Sequence, residues 1–241
     1  MKKSTITSLS GFQKVLEKNS SYMYRGISNY EFRLLPKVAR NWNLEKGILE
    51  IIEKKMLTEF KIRSTPFIDN MPESDWGWMA LAQHHGLPTR LLDWTLNPLV
   101  ALYFACRENI YLDGAVYFAI CLNEFDISET ASPFDIKETK KWSSPHSNQR
   151  LASQDGLFTV TENPLQPIDT GIKYRVIIKS SAKVSLLKTL NSFGINHCSI
   201  FPGLDGVAQY VEERNRALYG EHDLEAIKKI FEEGIREYEE Y

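Results

Sequence analysis

The chain has 241 residues, 25% of them charged, 43% hydrophobic and 12% aromatic, with a formal net charge of −2. A chain of that size forms one large domain or two small ones, and buries enough surface to need no disulfide or metal. The composition excludes global disorder, collagen-like repeats and a disulfide scaffold, and no run of apolar residues is long enough to span a membrane.

Met1-Lys2-Lys3 leads into Ser-Thr-Ile-Thr-Ser, which lacks the apolar run of a secretory leader. Three widely spaced cysteines, Cys106, Cys121 and Cys198, read as reduced thiols in a cytoplasmic protein. The small net charge hides a gradient. Residues 1–90 carry 14 Lys and Arg against 9 Asp and Glu, whereas residues 209–241 carry 5 against 10. A basic first third could face phosphate or nucleic acid, or belong in part to the solvated face of the helix from Glu45 to Arg63, where Glu and Lys alternate; a sequence pI near 6.2 does not favour broad nucleic-acid binding.

In chain order, residues 8–18 predict a short helix with Leu9, Phe12, Val15 and Leu16 on one side. Residues 20–26 predict a strand ended by glycine. Residues 27–42 read as a loop with extended pieces, since Pro36 disfavours helix. Residues 43–62 predict a helix whose apolar stripe is Ile48, Ile51, Ile52, Met56 and Phe60. Ser74 is placed to cap a helix from Asp75 to His85, stopped at Gly86 and Pro88. Asn97-Pro98 is a helix start, and the LVALYFAC that follows is apolar on every side, which requires a buried helix.

Asp113-Gly114 is a turn, and residues 115–121 form a strand apolar on both faces, suited to a sheet interior. Residues 123–148 read as a long loop with one helical turn. Strands are expected over 157–160, 172–179 and 198–201, and helices over 182–193, stopped at Gly194, and over 205–219. The acidic tail, 222–239, carries a stripe of Leu224, Ile227, Phe231, Ile235 and Tyr238, which packs on its own domain or on a partner. The pattern is α+β: a single domain over residues 1–241, with a mixed or antiparallel β-sheet core and flanking helices. It lacks the βαβ alternation of a doubly wound dinucleotide fold.

Neither common glycine-rich phosphate cradle is present, nor a C-x-x-C pair or a nucleophile elbow. His84 and His85 are adjacent and point apart on a helix, so no metal site is assigned. Cys106 reads as a packed core thiol. Three segments stand out. In Tyr24-Arg25-Gly26, an arginine at the end of an apolar strand needs a partner: a carboxylate such as Asp93, or a bound phosphate. The stretch Gln83 to Ala105 packs polar groups between two apolar helices. Within it, Arg90 can pair with Asp93, Trp94 can offer a stacking face, and Asp93 and Thr95 precede a helix start with free N–H groups. In the third, Arg150 and Gln154 share a face if the segment from Asn148 to Thr159 is helical there, and Gly156 permits a turn into the strand.

Together these segments resemble the FRG domain family, named for an aromatic-Arg-Gly motif, here Tyr24-Arg25-Gly26 followed by Leu35-Pro36 and Arg40. The second signature runs from Gln83-His84-His85-Gly86 through Pro88 to Thr95, then Asn97-Pro98 and Ala101 to Ala105. The third is Arg150 with Gln154-Asp155-Gly156-Leu157-Phe158-Thr159. The resemblance covers about residues 20–210.

More distantly, the chain is similar to ADP-ribosyltransferases, through Arg25 on the first strand, Thr95 ahead of the Ala101-Leu102-Tyr103-Phe104-Ala105 helix, and the strand from Ala115 to Cys121. That similarity implies an ADP-ribosyltransferase-like fold. It also implies a nucleotide site holding NAD as ligand or substrate, with Tyr24, Arg25, Gly26, His85, Arg90, Asp93, Trp94 and Thr95 as binding residues. Arg25, Thr95, Gln154 and Asp155 are the residues implied for catalysis. The glutamate that such enzymes use is replaced by Gln154-Asp155-Gly156, so transfer would require Asp155 or another acid such as Glu162. The expected function is binding of NAD or a related nucleotide, with ADP-ribose transfer or NAD hydrolysis by a toxin or defence effector. The other readings are a non-catalytic module for a nucleotide, a nucleic acid or a protein, and a hydrolase built on His85, Asp93 and Gln154. A protein or nucleic-acid acceptor is expected as partner, and no membrane.

Overall fold

Two glycines decide how the most apolar helix meets the sheet. A Cβ on Gly26 would lie 1.8 Å from the carbonyl oxygen of Ala101, and one on Gly114 would lie 2.3 Å from that of Ala105. The helix backbone therefore rests directly on two neighbouring strands, with alanines facing glycines. In the computed structural model, which describes residues 2–19, 22–40, 44–120, 132–143 and 149–219, this contact lies at the centre of the fold.

The elements are β1 (Lys2–Ile6), α1 (Leu9–Glu17), β2 (Tyr22–Ile27), α2 (Lys46–Ser64), α3 (Asp75–His84), β3 (Leu92–Thr95), α4 (Pro98–Cys106), β4 (Gly114–Ile120), β5 (Lys140–Trp142), α5 (Gln149–Ser153), β6 (Gly156–Val160), β7 (Ile172–Ile178), α6 (Ser180–Ser192), α7 (His197–Ile200) and α8 (Leu204–Tyr219). Among the described residues, seven strands make one mixed sheet in the order β1-β7-β4-β2-β3-β6-β5. Only β1 and β7 run parallel; the other pairs are antiparallel. The α+β reading holds at this level.

The chain divides into two compact units, one ending at Ile195 and the other beginning at Asn196. In the first, the α4 start is built as expected: the Asn97 side chain accepts from the Leu99 N–H at 3.0 Å and from Val100 at 3.4 Å. Ser74 caps α3 through Gly77, and Gly86 and Gly194 take positive φ just beyond the ends of α3 and α6. One core cluster joins Leu57, Trp76, Met79, Trp142, Phe158 and Val160. Another lies on the central strands, with Met23, Ile27, Trp94, Tyr117 and Leu157. No helix among the described residues is long and apolar enough to cross a membrane.

Three expectations are corrected. The α2 stripe faces the core only in part: Met56 and Phe60 pack against core clusters, but Ile51 is 68% exposed and Ile48 is exposed too, while Leu49, Glu53 and Leu57 are buried. The buried face includes an acidic residue rather than Ile48 or Ile51, because Glu53 reaches a buried arginine described below. Residues 198–201 are not a strand. In the second unit, Asn196 accepts from the Ser199 N–H at 3.1 Å and Ser199 Oγ accepts from the Asn196 N–H at 3.0 Å. This reciprocal cap nucleates α7 over a β-favourable sequence. Finally, β1, β3 and β5 were not anticipated as strands; each is five residues or fewer and is specified by its sheet neighbours. Cys121, most of the 123–148 loop and the 222–239 tail lie outside the described residues.

Candidate functional site

Strands β2 and β3 touch at a single paired position, Tyr24 opposite Thr95. Arg25 sits at this narrow junction. Its Nη1 donates to the Asp93 carbonyl and lies 3.6 Å from the Asp93 carboxylate. The Asp93 carboxylate also accepts from Gln83 Nε2 at 2.6 Å, and the Gln83 amide oxygen accepts from the Thr89 hydroxyl. A polar relay thus runs Thr89–Gln83–Asp93–Arg25, joining α3, β3 and β2. Arg25 Nε is buried and has no hydrogen-bond partner. Burial pulls the Arg25 guanidinium down to about 10, with Asp93 opposing the fall and Arg40 adding to it. It remains a cation at neutral pH.

Arg25 opens onto a cavity of about 710 Å³ at the carboxyl end of β2. Three more arginines, Arg33, Arg40 and Arg107, line the same space. The segment after β2 brings the first two, and the C-terminal end of α4 brings the third. The carboxylates on its wall are Glu31 and Glu108, and its apolar surface includes Phe32 and Phe104. Lys183 on α6 fixes the rim. Its buried ammonium donates to the carbonyls of Ser28 at 2.7 Å, Glu108 at 3.1 Å and Asn109 at 3.0 Å. Four guanidiniums thus line one cavity, each a rigid fork whose geometry matches phosphate or carboxylate oxygens.

A second, smaller cleft of about 50 Å³ lies behind Asp93 and is lined by Gln83, His84, Arg150 and Gln154. Burial lowers the His84 pKa, helped by His85 and then Arg150. Arg150 is also depressed, by burial first, with Asp93 opposing and Arg107 adding to the effect. The residues of all three sequence signatures therefore converge on Asp93. Among the described residues no group of three His, Cys, Asp or Glu side chains is placed to hold a metal.

Residues 20–113 match the family of the FRG domain. The FRG domain assignment holds for this segment of the chain. No curated protein and no solved structure matches it.

The expected site residues, inside and beyond the FRG match, separate into two groups. Arg25, Asp93 and Gln154 gather around the junction. The others have structural partners or lie apart. Arg90 does not pair with Asp93: it is 1% exposed, and Glu53 accepts from its backbone N–H, Nε and Nη2 at 2.8, 3.0 and 2.9 Å. Trp94 offers no stacking face, being buried with its Nε1 donating to Thr159 Oγ1 at 2.9 Å. Tyr24 packs edge-on against Phe118, and burial raises its pKa.

Gly26 lines the cavity, but its lack of a side chain serves the α4 contact. The Thr95 hydroxyl donates to the Gln154 carbonyl at 2.5 Å and accepts from the Asn97 N–H at 2.9 Å. Asp155 is exposed with φ of 44° and lines neither cavity. His85 is the exposed α3 cap, and its neighbour His84 is the histidine in the cleft. Cys106 is buried, which pushes its thiol up to about 12 and keeps it protonated.

Sequence reading missed Arg33 and Arg107. Arg107 follows an all-apolar helix and Arg33 follows the aromatic-Arg-Gly strand; charges that close such elements were the available signal. Only the packing of Gly26 on Ala101 places those two ends together.

Proposed function

We propose that this FRG domain binds NAD or a related nucleotide, with the phosphates held by Arg25, Arg33, Arg40 and Arg107. The observation that carries this reading is the four guanidiniums on one cavity of about 710 Å³. The wall sets four guanidiniums against two carboxylates, Glu31 and Glu108, with Glu108 3.5 Å from Arg107 and Asp93 beside Arg25, so the cavity keeps an excess of positive charge. A diphosphate complements that excess and supplies enough oxygens for several forks. Phe32 and Phe104 offer apolar surface for a base, and Glu31 and Glu108 are acceptors for ribose hydroxyls.

The geometry favours binding without transfer. The Thr95 hydroxyl is engaged by the Gln154 carbonyl, and the one carboxylate of the Gln154-Asp155-Gly156 turn points to solvent. ADP-ribose transfer would need an acid beside the ligand's ribose, and the nearest candidates are the two glutamates of the cavity wall.

Isothermal titration of NAD and ADP-ribose, with free nicotinamide followed by NMR over hours, tests this reading. Saturable binding is expected, weakening as salt rises, and at least about tenfold weaker in Arg40→Ala and Arg107→Ala. A wild-type protein that binds neither NAD, ADP-ribose nor ADP overturns it. Accumulating nicotinamide would turn the module into an enzyme.

A further inference from the structure

A second cavity, of about 540 Å³, adjoins the arginine cavity. The two share Glu31, Phe32 and Arg33, so the segment after β2 forms a common wall. The second differs in chemistry. Tyr30, Phe32 and Tyr117 line it, together with Arg33, Arg175 and Asp169. Tyr30 is 39% exposed and Phe32 52% exposed, so two large rings stand partly in water at its mouth. Arg175 Nη1 lies 3.3 Å from the Tyr117 hydroxyl, and its buried Nε has no hydrogen-bond partner.

The sheet register links the two spaces. Arg25, Tyr117 and Arg175 stand opposite one another on β2, β4 and β7, and opposite residues share a face. Arg25 belongs to the first cavity, and Tyr117 and Arg175 to the second. Two strand spacings, about 10 Å, separate the ends of this row. That is longer than a single phosphate and comparable to the ribose-diphosphate link of a dinucleotide.

We propose that the aromatic cavity is a base-binding half-site, so that the domain takes dinucleotides in preference to mononucleotides. This rests on the nucleotide reading above. The phosphates stay with the arginines, and the second nucleoside crosses the Glu31–Arg33 wall. Its base stacks on Tyr30 and Phe32, which favour any flat heteroaromatic ring. Asp169 accepts from a ring amino group, and Arg175 donates from the edge of the pocket.

The test compares ADP with a diadenosine diphosphate, titrated calorimetrically into the full chain as wild type, Tyr30→Ala, Arg175→Met and Arg40→Ala. Thermal melts confirm that each variant is folded. The dinucleotide is expected to bind at least about tenfold tighter than ADP. Tyr30→Ala and Arg175→Met each remove most of that advantage while leaving ADP within about twofold, and Arg40→Ala weakens both ligands. A dinucleotide no tighter than ADP, or a Tyr30→Ala protein that keeps the full advantage, overturns the half-site and leaves the arginine cavity standing. Failure of ADP as well as the dinucleotide overturns both.

Discussion

Arg25 and Arg90 are the same side chain, each facing an acid, yet the fold uses them in opposite ways. Arg90 is 1% exposed and Glu53, its partner, is 2% exposed. Three hydrogen bonds from Arg90 converge on that one carboxylate, and the Phe134 ring covers the guanidinium at 4.4 Å. Arg25 is 13% exposed, and the Asp93 side chain it approaches is 60% exposed. Their contact is 3.6 Å, and Asp93 is shared with Gln83. A saturated pair excludes a ligand; a loosely matched one at a cavity mouth leaves donors available for it. Position in the relay, not residue type, distinguishes the arginine proposed to bind a ligand from the structural one.

The largest way to break this comparison is at Glu53. Glu53→Ala leaves Arg90 buried without a counter-charge and should cost about 3–5 kcal/mol in urea unfolding. If the loss is below about 1 kcal/mol, Arg90 is not the closed pair described here. Gly26→Ala comes next. Its Cβ would collide with the Ala101 carbonyl, and forcing the helix away should cost about 3 kcal/mol. A neutral result would return Gly26 to a ligand-binding role.

Arg25→Gln sharpens the contrast from the other side. Stability should fall by only about 1 kcal/mol, because the Asp93 carboxylate remains solvated. NAD affinity should fall at least about tenfold, measured by titration. Equal effects on melting and binding would put Arg25 in Arg90's class.

The smallest effect is a pH dependence at His84. Its folded-state pKa is lowered, chiefly by burial. The unfolded chain therefore takes up this proton first as pH falls. Stability is complete above the ordinary histidine value of about 6.5 and declines as pH drops through it toward the folded-state value. Urea midpoints at several pH values should show this decline in wild type and a smaller one in His84→Gln.

Most of the regular framework was legible locally. The caps at Ser74 and Asn97, the all-apolar α4 and the glycine stops specify their elements through hydrogen bonds within a few residues. The short strands were not legible: four residues of β3 hold their shape through pairing with β6, which is distant in the chain. In α2 the sequence pattern held at Met56 and Phe60 but misled at Ile48 and Ile51, because periodicity counts isoleucines and cannot see that Glu53 has a buried cation to meet.

The site divides along the same line. Sequence by itself determined that an arginine closing an apolar strand and a polar stretch between two apolar helices belong to one FRG domain, since those motifs are local patterns of residue type. Tertiary structure alone decided which arginines share a cavity, that Asp93 faces Arg25 rather than Arg90, and that His84 rather than His85 enters the cleft. The physical reason is that charge pairing depends on distance through space. That distance is set where α4 rests on Gly26 and Gly114, bringing together side chains far apart in the chain.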